Sequence, residues 1–137
     1  MKKLSFIIVI FLLALACKKT KFEPEGPTDV RIRNLTDLTL EEVIVTTSEN
    51  TEDKDTLISI GPGAVSEYMR FTKAYTDAEI SAKVDIGGSM VTVSTGPVVF
   101  TYLTYVGQVR ETFEVFIPST GKLEISNRIL EEALVLK

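Results

Sequence analysis

Cys17 is the only thiol in a 137-residue chain that contains no histidine, and those two facts settle most of the chemistry open to it. Without imidazole, the commonest general base and metal ligand are missing, and Ser–His and Cys–His nucleophile systems cannot be assembled. A single cysteine closes no intramolecular disulfide and builds no Cys-based zinc site. Carboxylates, lysines and hydroxyls remain. The densest acidic stretch, Ser48-Glu49-Asn50-Thr51-Glu52-Asp53-Lys54-Asp55, offers oxygens of the kind Ca²⁺ takes in sets of about six to eight. Its spacing fits no EF-hand loop and Lys54 lies inside it, so a solvated hairpin loop is expected and no metal site is assigned. Glu41-Glu42 and Glu131-Glu132 are adjacent pairs; neighbours on a strand point to opposite faces and cannot flank one scissile bond. Gly61-Pro62-Gly63 lacks the Lys-Ser/Thr and the helix that a phosphate loop needs, and reads as a turn. No catalytic residue and no cofactor is assigned, and the chain is expected not to be an enzyme.

Tyrosine joins apolar area to a polar tip, which suits both cores and binding surfaces. Tyr68, Phe71 and Tyr75 fall around the Gly61-Pro62-Gly63 turn. Phe100 and Tyr102 would share one face of a strand from which Tyr105 points the other way. Core filling is the expected role of this set, and Tyr68, Tyr75 and Tyr105 are the candidates for ligand contact.

The position of Cys17 gives its thiol another use. Lys2 and Lys3 form a positive n-region, Leu4 to Ala16 an apolar h-region, and Ala14-Leu15-Ala16 places small residues ahead of the cysteine. The run falls short of the roughly 20 apolar residues that span a bilayer and has the build of a signal peptide, residues 1–16. Ala14-Leu15-Ala16-Cys17 resembles the lipobox of bacterial lipoproteins, relaxed in that Leu and then Ala or Ser are usual where Ala14 and Leu15 stand. The resemblance implies cleavage before Cys17 and a diacylglyceryl group on its sulfur. Two acyl chains hold a protein on a membrane where one does not. It also implies the outer membrane of a Gram-negative envelope, because Lys18 rather than Asp follows the cysteine; either face of that membrane is open. Loss of Lys2 and Lys3 leaves 13 basic against 19 acidic residues, a balance that argues against nucleic acid as a partner. Lys18, Lys19 and Lys21 would favour anionic head groups beside the anchor.

The elements that must position these residues read as strands. Residues 17–28 form a tether, since Glu23-Pro24-Glu25-Gly26-Pro27 discourages both helix and central strand, and residues 29–137 form one domain. Val30 and Ile32, then Leu35, alternate with Arg31, Arg33 and Asn34. Leu40 to Thr47 is rich in β-branched residues. Ala78 to Ile86 alternates strictly, the mark of a strand with one buried face, and Gly87-Gly88 turns it back into Met90 to Val93 as a hairpin. Val98 to Val106, Val109 to Ile117 and Leu123 to Ile125 continue the pattern. Ile129 to Leu136 suits a helical turn or a strand, and strand is preferred. The sum is all-β: an Ig-like or transthyretin-like antiparallel β-sandwich of about seven to eight strands. With no Trp and one Cys, the antibody-type Cys–Trp–Cys core is excluded.

Ile60-Gly61-Pro62-Gly63, Ser66-Glu67-Tyr68, Phe71 and Ala74-Tyr75 together resemble a pattern in small lipoproteins of the Bacteroidetes group. There an I-x-P-G-x-x-S-x-Y turn and strand precedes an A-Y step. The resemblance implies a β-sandwich on the cell envelope and says nothing of activity. The expected function is a non-catalytic accessory module that contacts another envelope protein, the alternative a carbohydrate-binding accessory of a glycan-uptake system. Oligomeric state is not legible.

Overall fold

A computed structural model describes residues 26–133; the expected signal peptide, Cys17, the first part of the tether and residues 134–137 lie outside the described residues. Eight strands follow in chain order: β1 (Thr28–Asn34), β2 (Leu40–Thr46), β3 (Lys54–Ile60), β4 (Met69–Phe71), β5 (Glu79–Ile86), β6 (Ser89–Ser94), β7 (Val109–Phe116) and β8 (Glu124–Ala133). They form two four-stranded sheets, ordered β4-β1-β7-β8 and β3-β2-β5-β6, an all-β sandwich with the transthyretin-like strand order. Neighbours pair antiparallel except β1 and β7, which run parallel from Asp29↔Arg110 to Asn34↔Val115. The first sheet is therefore mixed rather than wholly antiparallel.

Alternation decides which side chains meet between the sheets. Val30 and Ile32 of β1, Val43 and Val45 of β2, Ile80 and Val84 of β5 and Phe113 and Val115 of β7 are all fully buried. At roughly 25 cal/mol per Å² of apolar surface removed from water, this interior is the main stabilising term. The β5–β6 hairpin turns through Gly87 (φ 63°) and Gly88 (φ 87°), the paired left-handed residues that a two-residue turn needs to match strand twist. Asp85 Oδ1 accepts the Gly88 N–H at 2.7 Å.

Four local expectations are corrected. Val98 to Val106 is not a strand: Phe100–Tyr102 is a 3₁₀ turn, and only Tyr105 forms a bridge, to Tyr75. Its run of apolar residues lacks alternation, and Phe100 is buried while Tyr102 is 89% exposed, so the two do not share a face. The two stretches beginning at Leu123 and at Ile129 are not separate strands but the one strand β8 from Glu124 to Ala133, and the preferred strand reading of Ile129 onward holds as far as Ala133. Glu41 and Glu42 do not alternate, because Glu42 sits at φ 46° beside a register shift between β2 and β5. Both are exposed, and Glu42 meets Lys83. Finally, Asn34 points inward with no exposed surface while Leu35 is turned out.

The chain enters the sandwich tightly. β1 begins at Thr28, whose hydroxyl donates to the Gly107 carbonyl at 2.6 Å, and Gln108 Nε2 donates to the Gly26 carbonyl at 3.2 Å. A Cβ on Gly26 would lie 1.8 Å from the Thr72 carbonyl oxygen, backbone that cannot swing aside like a side chain. Gly26→Ala is expected to lower stability by about 1–3 kcal/mol, the usual cost of overpacking, measurable as a lower urea midpoint at unchanged slope.

Candidate functional site

The end of the sandwich from which β1 starts carries a groove of about 650 Å³. Its walls come from three segments. Residues 104–106 are zipped onto 74–76: Thr76 N–H donates to Thr104 O at 3.1 Å, and Val106 N–H to Ala74 O at 2.9 Å. Tyr75 N–H donates in turn to Thr47 O at 3.0 Å, joining both to the end of β2. This backbone lattice stacks Tyr75 on Tyr105, ring centroids 4.3 Å apart, and tilts Tyr75 against Phe100 at 5.3 Å. Offset pairs of this kind are worth about 0.5–1.5 kcal/mol beyond area burial. Tyr75 is left only 6% exposed. Above it, Glu49 and Thr51 of the β2–β3 loop, Glu79 at the start of β5, and Val99 and Thr101 line the opening.

The electrostatics of the groove are anionic. Glu49 is held below the ordinary carboxyl range, first by a hydrogen bond from its own backbone amide, then by the Tyr75 hydroxyl and the charge of Lys73. It therefore stays ionised near neutrality, the wrong state for a general acid. The Tyr75 hydroxyl is pushed far above the ordinary phenol range by its bond to Tyr105, by burial and by Glu49. It therefore stays a neutral phenol near neutral pH. Lys73 places its ammonium 5.7 Å from the Tyr105 ring centroid, near enough for its charge to act on Glu49, and is not itself a lining residue of the groove.

The rest of the acidic stretch serves the loop itself. Asp53 Oδ2 accepts the amides of Thr72 at 3.0 Å and Lys73 at 3.3 Å, Asn50 Oδ1 accepts the Glu52 amide, and Asp55 Oδ1 accepts the Thr56 amide. Among the described residues no group of three or more carboxylates is arranged to hold a metal ion.

Of the three expected ligand tyrosines, the fold brings Tyr75 and Tyr105 together and leaves Tyr68 elsewhere. Tyr68 lies on the outer face of the first sheet, between the guanidinium of Arg31 at 4.7 Å and that of Arg110 at 5.0 Å from its ring centroid. Its hydroxyl donates to Glu131 Oε2, while Arg31 Nη2 meets Glu131 Oε1 at 2.8 Å and the Thr112 hydroxyl donates to the same oxygen. Burial pushes Glu131 up, but the bonds from Thr112, Tyr68 and Arg31 outweigh it and hold the carboxyl below its ordinary value. Arg70 grips Asp29 with two bonds of 2.7 and 3.0 Å. The donors and acceptors here largely satisfy one another, so this face is a self-contained polar lattice across β1, β4, β7 and β8.

A carboxylate with no exposed surface lies on the inner line of β7. Glu111 of β7 is fully buried, its Oε2 accepting from Arg128 Nε of β8 at 2.6 Å. Its Oε1 has no partner among the described protein groups.

Among the groove residues, the sequence did not single out Glu79, which reads only as a polar position of β5, or Val99, hidden in an apolar run mistaken for a strand, and it gave Phe100 only a core role. No protein-family model matches the chain, and no curated protein matches it. Among solved structures, the chain is similar to an NMR structure of a protein from Eubacterium rectale, with a TM-score of 0.47 and 14% identity, over 75% of this chain and 89% of that one.

Proposed function

We propose that this protein is a lipid-anchored, non-catalytic binding module of the outer membrane that contacts another envelope protein. The observation that carries the binding role is the crest beside the groove. Phe100 is buried beneath it, fixing a short turn that presents Val99 at 66% and Tyr102 at 89% exposure. A tyrosine held out on a short turn with little of its surface covered is the residue type that dominates protein interfaces. The alternative, a carbohydrate-binding accessory of glycan uptake, calls for an aromatic face open to a sugar ring. In the groove that face is taken, since Tyr75 is covered by Tyr105 and Phe100.

The anchor is assigned to Cys17, followed at a distance of nine residues by Gly26, at most about 30 Å of extended chain. The groove and crest share the end of the sandwich that Gly26 enters, so the partner surface they present lies close to the bilayer. Cells labelled with radioactive palmitate are expected to mark the wild-type protein and leave Cys17→Ser unlabelled and released from membranes. Cross-linking of the wild type should capture a partner protein that Tyr102→Ala captures less. Equal labelling and retention of Cys17→Ser overturns the anchor; equal capture by Tyr102→Ala overturns the crest.

A further inference from the structure

We propose that the groove docks a cationic, aliphatic segment of a partner protein, with lysine or arginine side chains meeting Glu49 and Glu79 and the apolar residues between them covering Val99 and Tyr102. The proposal deepens the binding role given above, on which it rests for the partner being a protein of the envelope; the charge preference of the groove stands without the anchor.

The lining selects by charge. Glu49 and Glu79 face the opening and no lysine or arginine lines it. Lys73, over the Tyr105 ring, acts on Glu49 from outside the lining, and two carboxylates with no cation among the lining residues leave the groove itself with a net negative field. Anionic ligands are opposed by that field, and a cation entering it is steered and held. At the floor the Tyr75 ring is covered by Tyr105 and Phe100, which leaves Glu49 and Glu79 as the charged lining groups open to new donors. Threonines at 46, 51 and 101 add neutral hydroxyls along the walls.

Size and shape favour a chain segment over a small cation. Val99 lines the groove while 66% exposed, and Tyr102, 89% exposed, follows the lining residue Thr101 in the 3₁₀ turn. A compact ammonium ion in the groove would leave that crest in water. An extended segment alternating basic and aliphatic residues satisfies both, because side chains along it alternate between the carboxylates and the crest with period two. Burying an aromatic anchor beside a rim of complementary charge is the arrangement that supplies most of the energy of small interfaces.

The test uses the detergent-extracted full chain and three blocked ten-residue peptides, of Lys-Val, Glu-Val and Ser-Val repeats, with a neutral glucose hexasaccharide as the fourth probe. Calorimetric titration at low salt should show the Lys-Val peptide binding at least tenfold tighter than the Ser-Val peptide and no binding of the Glu-Val peptide or sugar at about 1 mM. Glu49→Gln with Glu79→Gln should weaken the Lys-Val peptide about tenfold, two exposed charge contacts being lost. Glu41→Gln with Asp37→Asn, an equal change in net charge at the far end of the sandwich, should leave the affinity within twofold. Tyr102→Ala should cost about tenfold again. Equal loss from both double variants would mean attraction to net charge alone and overturns the groove; so does binding of the Ser-Val peptide equal to that of Lys-Val, or binding of the sugar in preference to every peptide. None of these outcomes depends on Cys17, whose lipidation is read separately by palmitate labelling.

Discussion

Arg128→Met is expected to destabilise the fold by about 3 kcal/mol at neutral pH, at the lower end of the range for breaking one side of a buried ion pair. Glu111 has no exposed surface, and the Arg128 side chain keeps 22% of its own, so some of the charge of the pair is already screened. Removing Arg128 leaves Glu111 buried with both oxygens unpartnered, since Oε1 has no protein partner to begin with. The carboxyl then has one escape, protonation. Burial already pushes Glu111 above its ordinary value, with the bond and charge of Arg128 pulling it back; without Arg128 the upward push is unopposed.

The sign of the pH dependence follows from that direction. A carboxyl whose folded-state pKa lies above its unfolded value takes up a proton on folding, so its contribution to stability is full in acid and is lost as pH rises through the folded pKa. The deficit of Arg128→Met against wild type should therefore shrink toward pH 5 and widen toward pH 8, read from urea midpoints across that window. Glu111→Gln keeps the shape and loses the titration; its deficit should be smaller and should not narrow toward acid pH as that of Arg128→Met does. Glu111→Leu combined with Arg128→Met should recover most of the lost stability, because two apolar side chains need no partners. A pH-independent deficit in Arg128→Met would show that the loss is one of packing by the arginine stem and not of charge.

Glu111 also marks the boundary of what a sequence pattern can carry. Period two in Ala78 to Ile86 correctly names a half-buried strand and its Gly87-Gly88 turn, because alternation and a glycine pair are both local signals. The same rule applied to β7 places Glu111 on the line of Phe113 and Val115, inside, but a pattern of types gives no reason to trust a carboxylate there. Only the approach of β8, with Arg128 in reach, makes the position tolerable. The parallel pairing of β1 with β7 is likewise invisible locally, since it depends on strands about 80 residues apart in sequence. Val98 to Val106 failed for the opposite reason. Its β-branched and aromatic composition is that of a strand, and tertiary packing of Phe100 on Tyr75 overrode the propensity. The groove inherits both difficulties: each of its walls is a loop whose place is fixed by distant backbone bonds, and loop residues carry no periodic signature.

Asn34→Ala is expected to cost on the order of 3–4 kcal/mol, a large share of the roughly 5–15 kcal/mol that holds a domain of this size together. Strict alternation places Asn34 on the inward line of Val30 and Ile32, but its polar type groups it with Arg31 and Arg33 as an outward residue. It lies inside because the inner position is a junction of backbone groups that water cannot reach. Its Nδ2 donates to the carbonyls of Leu38 at 2.8 Å, Ile60 at 3.0 Å and Gly61 at 3.1 Å, and its Oδ1 accepts the Thr36 amide at 2.9 Å and the Thr36 hydroxyl at 2.7 Å. One side chain thus closes the β1–β2 turn and fastens it to the end of β3 on the facing sheet. Its own backbone extends the same junction, accepting from Gly63 and donating to Ala64, both at 2.9 Å. Each buried group left without a partner costs about 1–3 kcal/mol, and alanine abandons several at once, tempered by the relaxation of an end turn toward solvent. Asn34→Asp separates hydrogen bonding from volume. It retains the acceptor for Thr36 and replaces the amide donor with a second acceptor facing three carbonyls, so it should be at least as damaging as alanine at pH 7 and should recover in acid as the carboxyl gains a proton. If Asn34→Asp instead matches wild type at neutral pH, the three carbonyl bonds contribute nothing, and the junction must be held by the backbone bonds to Gly63 and Ala64 alone.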